Sequence, residues 1–107
     1  MRLQVKARGL ELSADMRSYV ESKLARLEKQ LAEETAVEVE LAEETRGGRF
    51  TAEANVFAKG QTLRATESTS DMRASVDKLV DNLERQIVAY REKRRLERRR
   101  RTEHHGV

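Results

Sequence analysis

There is no cysteine in this chain, which excludes a disulfide framework, a thiolate metal site and thiol catalysis. That fits a reducing compartment, and the expected location is the cytoplasm. Proline is absent as well, so no proline-rich linker divides the chain. Nowhere does an apolar run approach the roughly 18 residues of a membrane span. The basic opening "MRLQVKARG" also lacks the apolar stretch of a secretory signal. Histidine is scarce: His104 and His105 stand side by side, without the fixed geometry that general-base or metal chemistry needs. Gly47-Gly48 is a turn signal that lacks the strand-to-helix setting and the Lys-Ser/Thr of a phosphate loop. The many carboxylates alternate along strands or line a wet helix flank. The expectation is a protein that is not an enzyme and takes no cofactor, metal or small-molecule substrate.

What the sequence does have is charge and periodicity. A length of 107 residues suits one domain. Folding at that size removes roughly 65% of the unfolded chain's surface from water, enough for one modest core. The net charge is only +3, but residues 91–107 carry eight Lys/Arg against three Glu, which leaves residues 1–90 at −2. Bulk charge therefore argues for a polyanion partner only at the C-terminal end.

"RLQVKAR" alternates strictly, with Leu3, Val5 and Ala7 on one side, and predicts a half-buried strand. Ser13 and Asp15 follow as an N-cap and first-turn acid, opening a helix over 13–32 on Met16, Val20, Leu24, Leu27 and Leu31. Val37, Val39 and Leu41 mark a second strand, and Phe50, Ala52, Ala54 and Val56 a third. Lys59-Gly60 then makes a tight turn into a fourth strand over 61–67. "STSDM" opens a second helix with Ser70 as N-cap, and its apolar stripe lasts from Met72 to Ile87 and Tyr90.

This order, β-α-β-β-β-α, predicts an α+β fold of two layers. A right-handed crossover makes the first two strands parallel, and two hairpins complete a four-stranded mixed sheet. Both helices then run parallel on one sheet face, leaving the other face wet.

Each helix has a basic and an acidic flank. At about 100° per residue, Lys23, Arg26 and Lys29 share one side of the first helix, with Glu21 and Glu28 on the other. The second helix repeats this, with Lys78, Arg85 and Lys93 opposed to Asp77, Asp81 and Glu84. Two readings stay open. The basic flank of one helix can pair with the acidic flank of its neighbour, which needs no function. Alternatively, the cations of both helices converge, with the outward Arg2, Lys6 and Arg8 nearby, on a face for phosphate. Beyond Tyr90 the apolar period fails. The domain is therefore placed at 1–95, and 96–107 reads as a basic flexible tail or the start of a linker. Self-repulsion among Arg98 to Arg101 favours extension there.

"LSADMRSYVESKLARLEK" and "ESTSDMRASVDKLVDNLERQI" resemble the ribosome hibernation promoting factor family, also known as ribosome-associated inhibitor A, protein Y or the sigma-54 modulation protein family. The likeness spans residues 1–95 and is carried by "KLARLEK", the "SDM" helix start and "LERQI" at this spacing. It implies a β-α-β-β-β-α domain bound to the small ribosomal subunit, where it plugs the mRNA/tRNA channel on 16S-type rRNA and inhibits translation in stress or stationary phase. RNA would be read by shape and backbone, with no DNA or membrane involved. By position, the resemblance assigns rRNA contacts to Arg17, Lys23, Arg26 and Lys29 of the first helix. In the second helix it assigns them to Arg85 of "LERQ", Arg91 and Lys93, and Lys78, Arg94 and Arg95 are candidates on the same surface. Two positions depart from the pattern: Asn82 replaces a usual Lys or Arg, and Arg73 a usual aromatic. The alternatives are a general double-stranded RNA-binding module, and the N-terminal part of a long form that pairs ribosomes.

Overall fold

In the computed structural model, residues 1–44 and 47–105 are described. Thr45, Arg46, Gly106 and Val107 lie outside the described residues, as do the side chains of 101–105, and with them both histidines and Arg101. The elements are β1 (Arg2–Arg8), α1 (Ala14–Leu24) continued by a 3-10 helix (Ala25–Gln30), β2 (Ala36–Glu43), β3 (Phe50–Ala58), β4 (Gln61–Thr69) and α2 (Met72–His105). They form one sheet in the order β1-β2-β3-β4, parallel between β1 and β2 and antiparallel elsewhere. The expected α+β architecture is the observed one.

Alternation decides which face is covered. Val5 of β1, Val37, Val39 and Leu41 of β2, and Leu63 of β4 are buried under the helices. Lys6, Glu53 and Arg64 point to the open face, and all are exposed. Val20, Leu24 and Leu27 from the first helix meet Val76, Leu79, Leu83 and Ile87 of α2 in a single apolar cluster over that sheet.

Two helix boundaries differ from the sequence reading. The first helix tightens after Leu24 into 3-10 geometry. At about 100° per residue, Leu24 and Leu27 diverge by about 60°. At three residues per turn they lie one above the other. Both are fully buried, which is the packing reason for the change.

The N-cap of α2 is Asp71, one residue past the expected Ser70. Asp71 Oδ2 accepts from Ala74 N at 3.0 Å, and Asp71 O accepts from Ser75 N at 3.0 Å. Thr69 competes for the role that Ser70 would have had, because its Oγ1 accepts from Asp71 N at 3.1 Å and turns the chain. Ser75, fully buried, then donates to Phe50 O at 2.7 Å and ties the start of α2 to β3.

α2 has 34 residues, about 51 Å of helix. Its buried stripe ends at Ile87 and the half-buried Tyr90, so about 22 Å runs on beyond the core. The radius of gyration is 16.4 Å, against about 13 Å for a compact chain of this length. The excess is this projecting arm. Residues 96–105 continue the helix, where charge repulsion alone favours an extended segment. No described helix is long and apolar enough to cross a membrane.

Candidate nucleic-acid interface

The two helices run in the same direction, side by side, because successive residues of the first meet successive residues of α2. Tyr19 Oη donates to Asp77 Oδ1 at 2.5 Å, Lys23 Nζ lies 3.5 Å from the same oxygen, and Arg26 reaches both Asp81 (2.8 Å) and Glu84 (2.7 Å). The basic flank of the first helix thus faces the acidic flank of α2. Lys23 and Arg26 are held in this seam instead of standing beside the outer cations. Glu84 Oε2 is buried beneath the guanidinium, 2.7 Å from Arg26 Nε. Arg26 ionises more strongly than an ordinary arginine, chiefly through its hydrogen bond to Asp81. Such half-exposed pairs add little stability because water screens them; they mainly set register.

Tyr19 sits at the head of this seam. Arg73 lies 5.0 Å from the Tyr19 ring, and Lys23 lies 5.5 Å from it. Arg73 thus places a cation over the Tyr19 ring. Asn82 is also accounted for. Its Oδ1 accepts from Gln86 Nε2 at 2.8 Å, and the same Nε2 donates to Arg64 O at 2.7 Å on the edge strand β4.

The hydrogen bond to Asp77, followed by desolvation and the Asp77 charge, raises the Tyr19 pKa above its ordinary 10.0. A raised folded-state value means that this stabilisation is complete below the unfolded pKa and is lost as pH climbs through the folded one. Alkaline titration of phenolate absorbance, taken as wild type minus Tyr19→Phe, should give a midpoint above 10.0. Asp77→Asn should bring it down. A midpoint unmoved by Asp77→Asn would show that the seam is not closed in solution.

Pairing one basic flank leaves the other exposed. Lys78, Arg85, Arg91, Lys93 and Arg95 of α2 are exposed, and none is in an ion pair among the described residues. Arg17 and Lys29 are likewise exposed and unpaired. Of the ten candidate residues, then, five are exposed cations of α2 and its arm, with Arg91 and Arg95 about 160° around the helix from Lys93; two lie elsewhere on the first helix, and Lys23 and Arg26 lie in the seam. The tenth, Arg94, is half-buried: its guanidinium lies 5.7 Å from the Tyr90 ring and donates to Lys59 O at 3.4 Å. Among the described residues, no group of three or more His, Asp or Glu side chains could hold a metal ion.

Sequence reasoning missed one feature at the root of the arm. There the 30–35 segment, the β3–β4 turn and α2 enclose an open groove of about 870 Å³. Tyr90 Oη donates to Lys59 O at 2.6 Å, pinning the turn to the helix. Phe57 also lines the groove and is 44% exposed. A signal was present: along β3, Ala52, Ala54 and Val56 face inward, so Phe57 puts an aromatic ring on the side where polar residues alternate.

The fold and its exposed cations define a small α+β domain with unpaired basic side chains on its longest helix. The family model described as "Sigma 54 modulation protein / S30EA ribosomal protein" matches residues 3–95, and the chain belongs to this family. It is 31% identical over 93 residues to the ribosome hibernation promoting factor of Azotobacter vinelandii, covering 87% of this chain and 85% of that protein. It is 36% identical over 93 residues to the ribosome hibernation promotion factor of Deinococcus radiodurans, covering 82% of this chain but only 48% of that longer protein. Among solved structures, the N-terminal domain of Thermus thermophilus Protein Y superposes with a TM-score of 0.75 at 33% identity, covering 84% of this chain and 99% of that one. Relatives are thus named as ribosome-associated hibernation factors, which supports a hibernation role.

Proposed function

We propose that this chain is a ribosome hibernation factor of the cytoplasm. In this reading it binds the small ribosomal subunit, occupies the mRNA/tRNA channel on 16S-type rRNA and inhibits translation in stress or stationary phase. The observation that carries the reading is a set of exposed, unpaired cations on one long helix: Lys78, Arg85 and Lys93 on its outer flank, with Arg91 and Arg95 on another side of its arm. A chain that is near neutral through residue 90 nevertheless offers phosphate several unpaired cations. Three of them, Arg91, Lys93 and Arg95, stand on an arm beyond the buried stripe of α2.

The mechanism is occupancy. No bond need be made or broken: a domain seated in the channel excludes messenger and transfer RNA by volume, and cation–phosphate contacts hold it there. Backbone contacts carry position and little sequence information, which suits a site defined by the shape of folded RNA. The seam of Lys23 and Arg26 contributes by setting the register of the helix pair.

Sedimentation through sucrose tests this. Purified protein added to stationary-phase lysate should travel with the small subunit or whole ribosomes, and excess free duplex RNA should not release it. Protein that remains at the top of the gradient would refute ribosome binding. Release by free duplex at matched phosphate concentration would favour the general double-stranded RNA-binding module.

A further inference from the structure

The two edges of the sheet are finished differently. At β4 two outward carbonyls are covered: Arg64 O accepts from Gln86 Nε2 at 2.7 Å, and Ser68 O accepts from Arg49 Nη2 at 2.8 Å. β1 is the other edge. Arg2 N donates to Thr35 O at 2.7 Å, and Arg2 is in register with Ala36. In a parallel ladder a bonded residue turns both its N–H and its C=O to the neighbouring strand, and the residues between turn theirs away. Arg2, Gln4, Lys6 and Arg8 therefore face β2, whereas Leu3, Val5 and Ala7 each aim an N–H and a C=O outward. None of these outward groups has a hydrogen-bond partner among the described residues. An edge of this kind is a template for one more strand.

Side chains decide which strand fits. Arg2, Lys6 and Arg8 are exposed on the open face beside this edge, and of the three only Arg8 is in an ion pair, with Glu40 at 2.9 Å. On the covered face α1 touches β1 while α2 touches β3 and β4, so the flank of α1 turned away from α2 lies on the same side as the β1 edge. That flank carries Arg17 and Glu21, each two residues, and so about 160° around the helix, from Tyr19 and Lys23 of the seam. Arg2, Lys6, Arg8 and Arg17 thus outweigh Glu21. β2 shows what suits β1: its Val37 and Val39 point inward, while Glu38 and Glu40 stand on the open face beside Gln4 and Lys6. A strand of the same alternation on the outer side sets acids beside Arg2 and Lys6 and apolar side chains beside the half-buried Leu3 and Ala7. A second copy is a poor occupant, because antiparallel β1–β1 pairing centred on Val5 opposes Arg2 to Arg8. Cations on an edge keep copies of one chain apart, and that leaves the edge free for an acidic strand. Phosphates would engage the cations and the N–H groups but, being acceptors only, would leave the outward carbonyls unpaired.

We propose that β1 is a docking edge for an extended acidic segment of a partner protein, which adds a further strand to the sheet with Glu or Asp at alternate positions beside Arg2 and Lys6. Main-chain hydrogen bonds to Leu3, Val5 and Ala7 supply affinity, and the alternating side chains select the partner. β1 lies at the opposite edge of the sheet from β4, over which α2 packs, so this partner and an anion on the outer flank of α2 can be bound together.

The test uses the full chain and a fluorescein-labelled, end-blocked peptide with the β2 sequence AVEVELAE, against its lysine counterpart AVKVKLAK. In the free protein, amide hydrogen exchange should be fast at Leu3, Val5 and Ala7 and slow at Gln4 and Lys6, and the acidic peptide should slow the first set about tenfold or more. By fluorescence anisotropy the acidic peptide should bind about tenfold tighter than the lysine peptide. Ala7→Pro removes an outward N–H, a change an edge strand accommodates, and should weaken binding about tenfold. Arg2→Gln with Lys6→Gln, two exposed positions without an ion pair, should weaken it by a similar factor. Thermal melts identify any loss that comes from unfolding, and the double variant carries the test if Ala7→Pro does not fold. Outward amides already protected in the free chain, no slowing at millimolar peptide, equal affinity for the two peptides, or full affinity in the folded variants would each overturn the docking edge. Displacement of the peptide by oligouridine at matched charge would assign the edge cations to RNA and overturn it as well.

Discussion

Truncating Leu83 to alanine should lower the unfolding free energy by about 2–5 kcal/mol, the cost of a large cavity in a packed interior. Leu83 is fully buried on α2, one helical turn from both Leu79 and Ile87, which are also fully buried. It belongs to the cluster that joins both helices to the sheet, so no neighbour can relax into the space without leaving its own contact. For a domain whose whole stability is about 5–15 kcal/mol, such a loss is a large fraction and should appear as a pronounced drop in urea midpoint. The contrast is Leu96→Ala on the same helix. Leu96 is 50% exposed, past the end of the stripe, and its truncation should stay within about 0.5 kcal/mol of wild type. Urea titrations followed by far-UV circular dichroism compare the two. Equal losses would show that the arm packs against the domain, and a small loss at Leu83 that α2 is not seated on the sheet.

Neutralising the rim should change how binding responds to salt. The triple replacement Lys78→Gln, Arg85→Gln and Lys93→Gln removes three exposed cations that have no ion pair among the described residues. If each neutralises one rRNA phosphate, the slope of log affinity against log salt should flatten by about 2–3, since each contact contributes about 0.7–0.9. Between 50 and 200 mM salt the wild type should therefore lose about 30-fold more affinity than the variant. The control is Lys23→Gln with Arg26→Gln. These cations already face Asp77, Asp81 and Glu84 across the seam, so their removal should change the slope much less. Ribosome-binding titrations at four salt concentrations separate the cases. A slope unchanged by the triple replacement would remove the outer rim from the contact. A larger effect from the seam pair would mean that the helices part on binding and release those cations to phosphate.

The two helices show where sequence reading succeeds and where it stops. The stripe from Met72 to Ile87 predicted both the helix and its buried face, because periodicity reports which residues share a side. The flanks were legible too: Lys23 and Arg26 on one side of the first helix, and Asp77, Asp81 and Glu84 on one side of the second. Which flank faces its neighbour and which faces solvent was not legible, since both outcomes place the same residues on the same sides. The N-cap shows the same limit at short range. Ser70 and Asp71 are both good caps, and the choice was made by Thr69, whose hydroxyl holds Asp71 N. The 3-10 turn after Leu24 escaped because an interval of three fits either helix; only the sheet beneath Leu27 decides. The groove escaped for a related reason: Lys59 and Tyr90 are far apart in sequence and meet only because the β3–β4 turn reaches α2.

By itself, then, the sequence determined the order of elements, the buried face of each, the sheet they must form and the family to which the motifs point. These depend on local periodicity and on connections that admit one handedness. Only the tertiary structure decided which cations are held between the helices and which remain for an anion. It also decided that the arginine block extends a helix and that a cleft opens at its root. Those outcomes depend on distances between residues remote in the chain, and a charge acts on whatever lies within a few ångströms of it, whatever its place in the sequence.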